Sequence, residues 1–117
     1  MSIKVNTGLV ADWYTPESEK DSDNPARFKL KPLDGLTQVD VYSKAKITEQ
    51  GGFVPTRQAA EVALRASLIE WENIDDANGR PLKCSPHNFR HLPGEIVQEL
   101  TQEILIRSDL DEDDEKN

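Results

Sequence analysis

The sequence predicts a mainly α-helical fold: a small helical domain with a short N-terminal β element and a flexible acidic C-terminal tail. Three observations carry this. Residues 57–72 and 94–107 repeat apolar side chains at helical spacing, residues 27–31 alternate at period two, and residues 109–117 are almost wholly charged. The corresponding division is an extended, flexible segment over 1–25, a single helical domain over 26–108, and an acidic disordered tail over 109–117. A chain of 117 residues fits one core of this size.

Along the N-terminal segment, Ile3 and Val5 alternate with Lys4 and Asn6, so residues 3–14 read as weakly extended. Residues 15–24 are polar, acidic and interrupted by Pro16, the composition of a mobile loop. Arg27-Phe28-Lys29-Leu30-Lys31 then reads as a short strand with Phe28 and Leu30 inward, ended by Pro32. A hairpin between the two extended stretches fits this pattern, although two strands alone are marginal. Residues 34–48 fit two readings. Leu36, Val39, Ser43 and Ile47 share a helical face, while Val39 and Val41 alternate about Asp40; Asp34-Gly35 as a helix start favours the helix.

The clearest helical signal spans 57–72. Thr56 is placed to cap it. Ala60, Ala63, Leu64, Leu68 and Trp71 form one stripe, and Val62, Ala66 and Ile69 form a second, leaving a polar strip at Glu61, Arg65 and Glu72. A helix apolar around most of its circumference is buried on two sides, either at the centre of the domain or against another chain. Asp75 to Pro81 is a turn segment in which Asn78-Gly79 suits positive φ. Ser85-Pro86 starts a short helix to about residue 91. The last helix starts at Pro93-Gly94, with Ile96, Val97, Leu100, Ile104 and Leu105 on one face and Glu95, Gln98, Glu99, Gln102 and Glu103 opposite. Beyond Ser108 the acidic run is expected to fray.

Charge and composition remove several function classes. The net charge is −8; residues 109–117 hold six carboxylates against Lys116, a net of −5, which leaves −3 for the rest. Lys29, Lys31, Lys44, Lys46, Arg57, Arg65, Arg80, Lys83 and Arg90 are scattered and outnumbered, so no nucleic-acid stripe forms, and anionic lipid is repelled likewise. No apolar run reaches membrane-spanning length or resembles a signal peptide, and the single Cys84 allows no internal disulfide. A cytoplasmic protein is expected.

Sites for chemistry are sparse. Cys84, His87 and His91 lie within eight residues, and a helix over 86–91 would put the two histidines at the i,i+4 spacing of zinc ligands. A closed structural site needs a fourth ligand, and the sequence offers no further Cys or His, so no metal is assigned. The Asp75–Gly79 segment fails as a calcium loop: with Gly79 at the invariant glycine, Ile74 and Ser85 fall on ligand positions. Gly51-Gly52 lacks the Lys-Ser/Thr of a phosphate loop, and no nucleophile has an orienting base and acid at recognisable spacing. No enzyme and no cofactor are expected.

Read in order, the landmarks Pro32-Leu33-Asp34-Gly35, Leu68-Ile69-Glu70-Trp71-Glu72-Asn73-Ile74 and Asp76-Ala77-Asn78-Gly79-Arg80-Pro81-Leu82 resemble the small tail assembly chaperones of long-tailed (siphovirus, lambda-like) bacteriophages and prophages. Ser85, Leu92-Pro93, the last amphipathic helix and the acidic end continue the likeness, which covers residues 26–117. The resemblance implies a self-associating helical protein of the host cytoplasm. It would bind the aggregation-prone tape measure protein, recruit tail tube protein around it, and be absent from the mature virion. It also implies a longer form made by ribosomal frameshifting, for which Lys116-Asn117 offers an A-rich codon run. The family supplies no site residues to transfer. From the apolar stripes themselves, Leu64, Leu68, Trp71, Ile96, Leu100 and Ile104 are the expected partner-binding residues. The alternatives are a head–tail or tail completion protein retained in the virion, and a small metal-binding regulator using Cys84, His87 and His91.

Overall fold

The computed structural model describes residue 3 and residues 8–116; the side chains of residues 47, 53 and 109–116 lie outside what it describes. Expectations for residues 1–2, 4–7 and 117 also fall outside it. In chain order the elements are β1 (Asp12–Tyr14), β2 (Arg27–Leu30), α1 (Gly35–Lys44), β3 (Lys46–Ile47), β4 (Phe53–Val54), α2 (Arg57–Ser67), β5 (Leu68–Glu72) and α3 (Gly94–Lys116). Short 3-10 helices span Glu17–Glu19 and Pro86–His91.

The mainly helical expectation is corrected. The fold is mixed, with 45% helix and 16% strand. Its sheet is three-stranded and antiparallel, in the order β1-β2-β5, and β3 pairs with β4 in a separate small hairpin. The error lies in residues 57–72. The helix stops at Ser67 and the chain turns directly into β5.

A β-bulge explains why β5 imitates a helix. Leu68 faces Leu30 and Trp71 faces Phe28, but Lys29 faces Glu70, so Ile69 is the extra residue between paired positions. The bulge sets the two inward side chains three apart instead of two, the same spacing that a helix gives one face. Ile69 itself is 51% exposed, whereas the helical reading buried it on a second stripe.

One core joins the layers. Phe28, Leu30, Leu68 and Trp71 from the sheet meet Ala59, Ala63 and Leu64 of α2 and Leu100, Ile104 and Leu105 of α3. Trp71 is central. It meets Phe28 edge-on at 6.2 Å between centroids and Phe89 at 5.9 Å, contacts worth about 0.5–1.5 kcal/mol each beyond simple burial. Its Nε1–H donates to the Leu82 carbonyl at 2.7 Å, which fastens the excursion over residues 74–82 to the core. That excursion closes as the sequence predicts: Leu82 N–H donates to Ile74 O, the Asp76 carboxylate accepts from the Asn78 and Arg80 amides, and Gly79 takes φ +79°.

Within residues 34–48 the helical reading holds for α1, Gly35–Lys44, capped by the Asp34 carboxylate accepting from Thr37 N–H at 2.8 Å, while Lys46–Ile47, expected on the same helix, form β3. Its inward residue is Val41, fully buried, while Leu36 (87% exposed) and Val39 (67%) face solvent. Thr56 caps α2 as expected, accepting from Ala59 N–H, and its hydroxyl also donates to the Lys44 carbonyl, which ties the end of α1 to the start of α2.

The N-terminal stretch joins the domain through α3. β1 pairs with β2, and Pro16 is fully buried. Glu99, Glu103 and Arg107 recur every four residues along one row of α3. Glu99 accepts hydrogen bonds from the Tyr14 hydroxyl and the Glu17 amide; Arg107 pairs with Glu103 at 2.8 Å and donates to the Asp12, Leu30 and Trp13 carbonyls. The α3 backbone continues as helix through the stretch expected to be an acidic tail.

Candidate functional site: an arginine-rimmed groove

A cleft of about 540 Å³ lies between α2, the Pro86–His91 helix and the first turns of α3. Its volume lies within the range of small-molecule and peptide pockets. α2 contributes the row Arg57, Ala60, Glu61, Leu64 and Arg65, neighbours because residues three and four apart share a helical face. The 3-10 helix supplies Pro86, Phe89 and Arg90, and the next turn supplies Leu92, Val97 and Gln98. Pro55 and the capping Thr56, which lead into α2, line it as well.

The floor is apolar and the rim is basic. Buried Ala60, Leu64, Phe89 and Leu92 form the base and half-buried Val97 a wall, while Arg57, Arg65 and Arg90 against Glu61 give the rim a net of +2 in a chain of −8. Arg65 is bound to Glu61 at 3.2 Å. Arg57 and Arg90 are exposed and make no ion pair among the described residues. Such a surface suits a ligand that offers apolar side chains to the floor and carboxylates to the rim.

The six partner-binding residues expected from the sequence do not share one surface. Leu64 lines the cleft. Ile96 is half-buried beside a smaller cavity of about 250 Å³ that Pro16, Phe28 and Pro93 also line. Leu68, Trp71, Leu100 and Ile104 are buried in the core among the protein's own residues, so a partner meets them only if the domain opens. The apolar stripes mark where the protein packs on itself. Arg57, Phe89, Arg90 and Val97 escaped the sequence reading because they belong to three different elements; the spacing of Arg57 and Arg65 on α2 was their one signal.

Cys84, His87 and His91 form no metal-ligand cluster among the described residues. The two imidazole rings stand edge to face at 6.4 Å on a 3-10 helix. Cys84 is half-buried; burial first, and then the Glu70 charge, push its thiol above the ordinary value. That holds it in the protonated form, the weaker metal ligand and nucleophile. Tyr14 is likewise raised, by burial and then by the hydrogen bond to Glu99.

No helix among the described residues is long and apolar enough to cross a membrane. No protein-family model matches the chain, and no curated protein or solved structure matches it significantly.

Proposed function

We propose that this chain is a non-enzymatic protein-binding factor, a tail assembly chaperone of a long-tailed phage, which works in the host cytoplasm on the tape measure protein and leaves before the virion matures. The observation that carries the reading is the apolar, arginine-rimmed groove between α2, the Pro86–His91 helix and α3. A tape measure is a long helical chain with exposed apolar stripes, and a helix laid in a groove is a standard way to cover such a stripe. The order of landmarks from Pro32 to the acidic segment supports the same reading. Recruitment of tail tube protein belongs to the proposal, with the acidic surface keeping the assembly soluble.

Co-expression with the long tape-measure-like reading frame of the same gene cluster tests it. The partner becomes soluble and co-purifies with this chain. Val97→Glu, which puts a carboxylate on the half-buried groove wall, abolishes that capture while the circular dichroism spectrum is retained. An insoluble partner, with this chain found instead in finished particles, would make it a structural component.

A further inference from the structure

We infer that the groove is the docking site for the acidic segment 109–117 of a second copy of this chain, giving a head-to-tail contact between protomers. The inference does not depend on the identity of any partner protein, and it is tested on the purified chain alone. Two observations carry it. The groove rim holds Arg57 and Arg90 without ion-pair partners among the described residues, above an apolar floor. Residues 109–117 carry a net of −5 and one apolar residue, Leu110, which follows four positions after the half-exposed Ile106. Opposite charges on two surfaces of one chain are complementary by themselves.

Geometry decides that the contact is between copies. α3 starts in the groove wall, at Gly94, Val97 and Gln98, and continues as a single helix to Lys116. At 1.5 Å per residue, Asp109 to Glu115 lie roughly 16 to 25 Å along the axis from Gln98. A continuous helix cannot bring its far end back to its own first turn, so the acidic segment is held away from its own groove and presented to a neighbour. The two surfaces differ, so the contact is heterologous, and repetition closes a ring or extends a chain of protomers.

Sedimentation velocity of the full chain and two variants tests this. The wild type associates as concentration rises, and its association constant falls by about tenfold or more between about 0.05 M and about 0.5 M sodium chloride, as screening removes the charge attraction. Arg57→Glu/Arg90→Glu removes the groove but keeps the segment. Asp111→Asn/Asp113→Asn/Asp114→Asn does the reverse. Each is monomeric alone, and the two mixed form a 1:1 heterodimer through the one intact contact. All the substituted arginines are exposed, and Arg57→Gln/Arg90→Gln provides a milder groove variant whose folding is checked by circular dichroism. A monomeric wild type, a groove or segment variant that still self-associates, or a mixture that stays monomeric would overturn the inference.

Discussion

Two buried serines show how much a single hydroxyl decides. Ser108 accepts from the Leu33 amide at 2.8 Å and donates to the Ile104 carbonyl, so it joins α3 to the chain leaving β2. Ser108→Ala strands a buried N–H and is expected to cost about 1–3 kcal/mol, read as a lower urea midpoint. The Ser67 hydroxyl, equally buried at the junction of α2 and β5, has no hydrogen-bond partner among the described residues. Ser67→Ala removes an unsatisfied group and is expected to be neutral or stabilising by the same measurement. Tyr14 makes a pH prediction. Its phenol is raised above its ordinary value of 10.0, chiefly by burial and then by Glu99. The folded state therefore holds a proton that the unfolded state releases, and stability is full below pH 10 and falls as the pH rises beyond it. Tyr14→Phe is expected to flatten that alkaline fall in denaturation curves taken across it.

At the scale of elements, β5 is the point where local pattern and tertiary structure part. If residues 57–72 were one helix, Ile69 would sit on a buried stripe and a charge there would be severe. In the bulged strand it faces solvent, so Ile69→Lys is expected to change stability by about 0.5 kcal/mol or less. Trp71→Ala, two positions on, empties the centre of the core and is expected to cost about 3–5 kcal/mol. Thermal or urea unfolding of the two variants separates the readings directly. The sequence made the remaining local structure legible where one residue type has one local use. Thr56 and Asp34 cap helices, Gly79 takes the positive φ of its turn, and Phe28 and Leu30 point inward from β2. It concealed what depends on distant partners. Glu99 and Glu103 look like a solvated helix face until Tyr14, Glu17 and Arg107 are placed against them. In α1, the apolar residues Leu36 and Val39 lie outward because Val41 alone meets the core; helical periodicity names a face but not what it packs on.

For the whole molecule, the consequence is a division of labour. The stripes richest in apolar residues are spent on a core that one sheet, α2 and α3 build together, and the candidate groove is assembled from pieces of three elements around Phe89 and Leu64. The candidate site was therefore the least legible feature, since neither Arg57 nor Arg90 has a local pattern that points to the other. An acidic chain with a basic-rimmed groove also implies that capture weakens as salt rises, because the rim charges are exposed and screened within about 8 Å at physiological ionic strength. Hydrogen–deuterium exchange of the chain, diluted to where it is monomeric, alone and with the co-purified tape-measure-like partner tests whether the groove takes that partner. Slowed exchange concentrated in residues 57–65 and 86–98, with α1 unchanged, is the expected result. Protection confined to α1 around Leu36 and Val39, with the groove exchanging as in the free protein, would contradict it.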